Sequence, residues 1–129
     1  MYRSMATNLM VESVERSIAF YKDVLGFSVA VSVPGEKGGL VFSILSKDGL
    51  TLMVQEKGSL TGEYSVLKTD VIKPSITLYC TVDDLDALFE EIKAKYKVYK
   101  EPYVTPYGAR EFAIIDPDGY PLTFAEHQD

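Results

Sequence analysis

The alternation of apolar and polar positions divides this chain into two similar runs of elements. Thr7–Val11 alternates, with Leu9 and Val11 on one face and Asn8 and Met10 on the other, which predicts a short strand. Ser13 then stands as an N-cap, and Val14, Ile18, Tyr21 and Leu25 form an apolar helical stripe that Gly26 ends as a C′ residue. Phe27–Val33, Leu40–Leu45 and Leu50–Gln55 are β-rich, and Pro34-Gly35 and Lys47-Asp48-Gly49 separate them as turns. The first half therefore reads β-α-β-β-β. Residues 57–73 read as a polar connector with Gly58 and Gly62, and Ser75–Val82 as a second opening strand. Asp83 or Asp84 caps a helix carrying Leu85, Leu88, Phe89, Ile92 and Tyr96. Val98–Val104, bounded by Pro102 and Pro106, suits a sheet edge, because proline cannot donate to a ladder. Arg110–Ile115 and Leu122–Glu126 flank the turn Asp116-Pro117-Asp118-Gly119.

The two runs are copies. Residues 39–56 and 109–126 align at an offset of 70, with Phe42/Phe112, Ile44/Ile114, Asp48/Asp118, Gly49/Gly119, Leu52/Leu122 and Glu56/Glu126 identical. A repeat of this size is one supersecondary unit used twice. The expected organisation is a single domain over 1–129, with module one at about 5–57, a connector at 58–73 and module two at about 74–127.

Composition narrows the function. At 129 residues and 47% hydrophobic content the chain is long enough to bury a core and is not of the disordered class. Its net charge of −6 argues against a nucleic-acid partner, which a basic face would have to hold, and is compatible with a cationic ligand. No apolar run approaches a bilayer span and Met1-Tyr2-Arg3-Ser4 opens no signal peptide, so no membrane association and a cytoplasmic location are expected. One cysteine excludes an internal disulfide and any multi-cysteine metal cluster.

Two motifs carry a resemblance. Ser17-Ile18-Ala19-Phe20-Tyr21-Lys22-Asp23-Val24-Leu25-Gly26-Phe27 contains the full pattern SxxFYxxxLGF, and Asp116–Glu126 is similar to the ending DPDGxxxEL. Together they resemble the vicinal oxygen chelate superfamily, which includes glyoxalase I, fosfomycin-resistance enzymes, extradiol dioxygenases and bleomycin-resistance proteins. The resemblance implies an α+β fold of two βαβββ modules, the glyoxalase/bleomycin-resistance/dioxygenase fold, forming a concave cleft. It also implies a homodimer, with exchange sought near residues 102–106 or the Met1–Ser4 arm.

In metal-dependent members of that superfamily a ligand stands on each first strand and another on each last strand. The matching positions here are Ala6, Thr77, Met53 and Thr123. None is a competent ligand for zinc, nickel, iron or manganese, which want imidazole, carboxylate or thiolate. No metal and no other cofactor is therefore expected. His127 reads as an exposed tail residue, Glu56 and Glu126 as strand-end carboxylates in water, and Cys80 as an inert core thiol.

Strand parity then supplies the ligand-binding cleft: Ala6, Asn8, Met10, Ser43, Met53 and Gln55 from the first half, and Thr77, Tyr79, Glu111, Ala113 and Thr123 from the second. The opposite faces, with Leu9, Phe42, Ile44, Leu52, Phe112, Ile114, Leu122 and Phe124, are apolar and expected to lie under the helices. Tyr79 can stack on a flat ring or pack between the modules; Glu111 can pair with a ligand cation or sit in water at the rim. Tyr103 and Tyr107 are a lid or ordinary loop packing. The leading expectation is a metal-free protein that sequesters a partly apolar, cation-compatible small molecule. The alternatives are a glyoxalase-like lyase or isomerase or a dioxygenase-type enzyme, and a ligand-sensing or scaffold module.

Overall fold

The structure, a computed structural model, describes residues 1–127. The chain forms two compact units, Met1–Ile72 and Lys73–Asp129. The first contains β1 (Thr7–Val11), α1 (Val14–Asp23), β2 (Ser28–Pro34), β3 (Leu40–Lys47), β4 (Leu50–Glu56) and α2 (Lys57–Glu63). The second contains β5 (Leu78–Thr81), α3 (Leu85–Lys93), β6 (Lys100–Val104), β7 (Ala109–Ile115) and β8 (Pro121–His127). Each unit builds a four-stranded sheet of the same topology, β1-β4-β3-β2 and β5-β8-β7-β6. In both, the first strand runs parallel to the last and the other pairs are antiparallel. The fold is α+β, two βαβββ modules.

In the first unit, Ser13 caps α1 by accepting from the Arg16 amide at 3.1 Å. The buried stripe of α1 is Val14, Ser17, Phe20 and Tyr21, with Ile18 only half buried. This stripe packs on β3 and β4, on the sheet face that carries Leu45 and Val54 together with Leu9 and Val11, each 1% exposed or less. Asp48 and Gly49 both adopt positive φ (50° and 82°), the two-residue turn that matches the twist of a hairpin between β3 and β4.

Two features go beyond the sequence pattern. The polar connector at residues 57–73 is partly helical, containing α2 and a 3-10 turn at Ser65–Leu67. Two glycines weaken the helical signal, but the Glu56 carboxylate caps α2 through the Gly58 and Ser59 amides at 2.8 and 3.0 Å. The parity of β3 is also reversed. Phe42 pairs with Gln55 and Ile44 with Met53, so Phe42 and Ile44 share the face of Asn8 and Met10, and Ser43 and Val41 take the other. Ser43 is fully buried on the α1 side, where its hydroxyl donates to the Val31 carbonyl at 2.8 Å. That bond satisfies the hydroxyl and lets a polar residue occupy a core position.

In the second unit, Asp84 caps α3 by accepting from the Ala87 amide at 3.1 Å. Leu85, Phe89 and Ile92 pack on Phe112, Ile114, Leu122 and Phe124. Phe112 sits edge-on to Phe89 (centroids 5.2 Å apart) and stacked on Phe124 (5.1 Å). The Asp116 side chain accepts from the Asp118 and Tyr120 amides, both at 2.9 Å, and fixes the turn between β7 and β8. Gly119 there has φ 99°, and an added Cβ would lie 3.1 Å from Pro74. The opening strand is shorter than expected, beginning at Leu78 rather than Ser75, and β6 lies at the sheet edge. Among the described residues, no helix is long and apolar enough to cross a membrane.

Candidate functional site

The second sheet turns Tyr79, Thr123, Ala113 and Lys100 to the face away from α3, followed by Thr81, Ala125, Glu111 and Tyr103 in the next cross-strand row. The centre of this face is Glu111, only 3% exposed. Tyr79 donates to its Oε2 at 2.7 Å, Tyr107 donates to the same oxygen, and Tyr103 reaches Oε1 at 3.4 Å. His127 Nε2 lies 3.1 Å from the Tyr79 hydroxyl. Local structure explains each position. Tyr103 is the register partner of Glu111 across β6 and β7. Tyr107 sits in a tight turn closed by the Thr105 amide to the Ala109 carbonyl (2.8 Å) and by Gly108 at φ 86°.

The electrostatics follow from these contacts. Burial pushes the Glu111 carboxyl up, but the hydrogen bonds from Tyr107, Tyr79 and Tyr103, together with the charge of His127, outweigh it. Its acidity is therefore strengthened and the group carries its charge at neutral pH. The hydrogen bond to Glu111 is the main cause that holds the Tyr79 phenol well above the ordinary tyrosine range, and it raises Tyr107 as well. Both phenols are fixed as donors. The arrangement is a formal negative charge screened by hydroxyls, with the Tyr79, Tyr103 and Tyr107 rings 41–65% exposed in front of it.

In the first unit, Asn8, Met10, Met53 and Gln55 share the face opposite α1, and Ala6 is exposed just before β1. Asn8 Nδ2 donates to Gln55 Oε1 at 2.9 Å, and Gln55 Nε2 donates to Ser59 Oγ (3.0 Å) and Glu63 Oε1 (3.1 Å). Ser43 is absent from this face, because the β3 register carries it to the core. Thr77 is exposed and precedes β5.

The four positions matched to superfamily metal ligands do not fit a metal: Ala6 has no donor, Met53 offers a thioether, and Thr77 and Thr123 offer hydroxyls. Among the described residues, no group of three or more His, Cys, Asp or Glu side chains is arranged to hold an ion. The strand-end carboxylates have structural work instead. Glu126 accepts from the Leu85 amide at 2.8 Å and supports the start of α3, as Glu56 does for α2. Arg110 pairs with Asp86 at 3.0 Å. Burial raises the half-buried Cys80 thiol and favours its protonated form.

His127 and the tyrosine cluster are what strand parity alone leaves unassembled. His127 has the parity of Thr123 and Ala125, which puts it on the Glu111 face. Together with the Tyr103–Glu111 pairing, that parity brings His127, Tyr79 and Tyr103 to Glu111, whereas Tyr107 reaches it from the turn.

A profile of the Glyoxalase/Bleomycin resistance protein/Dioxygenase superfamily matches residues 5–124. An uncharacterised protein of Mycobacterium tuberculosis (strain H37Rv) is 26% identical over 119 residues, covering 91% of this chain and 70% of that protein. Among solved structures, a glyoxalase/bleomycin resistance protein/dioxygenase from Nocardioides superposes with a TM-score of 0.79 at 19% identity, over 100% of this chain and 87% of that one. TioX from Micromonospora sp. ML1 superposes with a TM-score of 0.74 at 19% identity, over 98% of this chain and 100% of that one. The profile match covers nearly the whole sequence and both repeats: the chain belongs to the Glyoxalase/Bleomycin resistance protein/Dioxygenase superfamily.

Proposed function

We propose that this protein is a metal-free small-molecule-binding member of its superfamily, holding a partly apolar cation against Glu111. The observation that carries the reading is the buried carboxylate with three phenol donors and their half-exposed rings in front of it. A cation over those rings gains from their quadrupoles, and the ionised carboxylate adds direct attraction in a partly desolvated setting. Ala113 and Thr123 pair on the same face, a small side chain and one hydroxyl for orientation. The net charge of −6 adds long-range attraction for such a ligand.

Binding is favoured over acid–base catalysis by the state of the phenols. A Tyr79 hydroxyl held above the usual phenol range donates a hydrogen bond but does not yield its proton near neutral pH. The reading includes a homodimer in the cytoplasm. Light scattering on the purified protein should then give twice the chain mass of 14.4 kDa, and a monomer would remove that part of it.

The test is a calorimetric titration with benzyltrimethylammonium and with benzyl alcohol as the uncharged comparison. The cation should bind and the alcohol should bind at least about tenfold more weakly. Glu111→Gln should reduce cation affinity by on the order of tenfold and leave the alcohol unchanged. Equal affinity for cation and alcohol, or an unaltered cation affinity in Glu111→Gln, would overturn the reading.

A further inference from the structure

The first sheet ends on a strand that pairs on one side only. β2 is the outermost strand of the order β1-β4-β3-β2, and its ladder runs to β3. All seven of its residues are exposed. Its sequence, Ser28-Val29-Ala30-Val31-Ser32-Val33-Pro34, has no charged side chain, and Val29, Val31 and Val33 are 41–43% exposed. The outer side of such a strand is a row of backbone donors and acceptors able to template another strand.

The duplication supplies an internal comparison. β6 holds the same place at the edge of the second sheet, and there Lys100, Glu101 and Pro102 stand within the strand. Charge and proline are the usual means by which an edge is kept from pairing. The remaining edges, β1 and β5, are shorter, at five and four residues, and neither is exposed throughout. Among the described strands, β2 is the edge that combines length, full exposure and neutrality.

The local register selects the partner. Between the irregularities at Val29/Val31 and Val33/Pro34, the run Val31-Ser32-Val33 pairs regularly with Ile44, Ser43 and Phe42. Val31 and Val33 therefore share one face of the sheet and Ser32 takes the other. This run reads the same in both directions. Two copies laid antiparallel about a twofold axis at Ser32 set each Val31 against the Val33 of the other copy, on one face, and serine against serine on the opposite face. Chains of net charge −6 repel one another, so a seam between two copies is best placed where the strand itself brings no charge.

We infer that β2 is the interface of a homodimer in which the edge strands of two copies pair antiparallel about Ser32 and join their first sheets into one. Backbone hydrogen bonds carry the contact, and the two valine pairs fix its register. The inference rests on the homodimer included in the proposed function and assigns its surface; it uses no residue of the Glu111 cluster.

The test is sedimentation equilibrium of the full chain over a concentration series, with amide hydrogen exchange at residues 29–33 as a second readout. The native chain should be dimeric, and exchange in β2 should slow as concentration rises, which pairing to β3 alone would not produce. A double variant, Val31→Glu with Val33→Glu, sets carboxylate against carboxylate in both valine pairs and should raise the dimer dissociation constant at least about tenfold. Val31→Lys with Val33→Lys should do the same. Both positions are exposed, so the monomer keeps its core. Mixed in equal amounts, the glutamate and lysine variants should recover association as a heterodimer, a result that a folding defect would not give. A native dimer left intact by both double variants, with β2 exchange independent of concentration, would overturn the inference and keep the homodimer on another surface. A native chain that stays monomeric throughout the series would overturn the inference and the homodimer together.

Discussion

Glu111 is one of nineteen acidic residues in the chain, and its neighbours rather than its type make it distinctive. Its carboxyl is held below the usual glutamate value in the folded state, so the stability it contributes is present above its unfolded pKa and is lost as pH falls through the folded value. Tyr79 has the opposite sign: its phenol is raised, so its contribution is present below about pH 10 and is lost as the pH climbs further. Replacing Glu111 by Gln removes the main cause of the Tyr79 shift. Phenolate absorbance followed against pH should therefore show Tyr79 ionising at lower pH in Glu111→Gln than in the native protein. Coincident titration curves would mean that the hydrogen bond is not formed in solution. The alternation of β7 and β8 makes Glu111, Ala113 and Thr123 legible as neighbours from sequence. The Tyr107 contact depends on the turn at Thr105–Ala109, which alternation does not describe. The burial of Ser43 is not legible in the alternation, and only the Val31 carbonyl explains how its hydroxyl is satisfied inside.

At the scale of elements, the starts of α2 and α3 are held by carboxylates borrowed from strand ends. Glu126, at the end of β8, accepts from the first amide of α3, and Asp84 accepts from its third. Helix starts carry unpaired amides and a partial positive charge, so each carboxylate contributes by hydrogen bond and by dipole. Glu126→Ala should cost about 1 kcal/mol in urea denaturation, and Asp84→Ala a similar amount. The two losses should be less than additive, because both act on one helix turn. Phe124→Ala removes a ring stacked on Phe112 in the core below α3 and should cost about 3–5 kcal/mol. The strands and the two longer helices were legible because their apolar spacing is regular and their caps and turns have defined chemistry. α2 was not, because Lys57-Gly58-Ser59-Leu60-Thr61-Gly62-Glu63 has one core residue and two glycines. Its formation depends on Glu56 and on Leu60 meeting the sheet, both of which are tertiary facts.

At the scale of the whole molecule, the duplicated sequence yields two sheets of one topology with different chemistry on their open faces. The first offers a neutral amide chain beside an apolar groove; the second offers a charged carboxylate behind aromatic rings. Among the described residues, neither face groups three or more His, Cys, Asp or Glu side chains to hold an ion that would polarise a substrate oxygen. Cation binding at Glu111 should weaken as ionic strength rises, since part of the attraction comes from a net charge of −6 acting through solvent. The measurement that tests the account most directly is the benzyltrimethylammonium titration, repeated on protein treated with a chelator and then with nickel, zinc, iron(II) or manganese added back. The account predicts one affinity throughout and no stabilisation by any of the ions. Binding that disappears with the chelator and returns with one metal would contradict it.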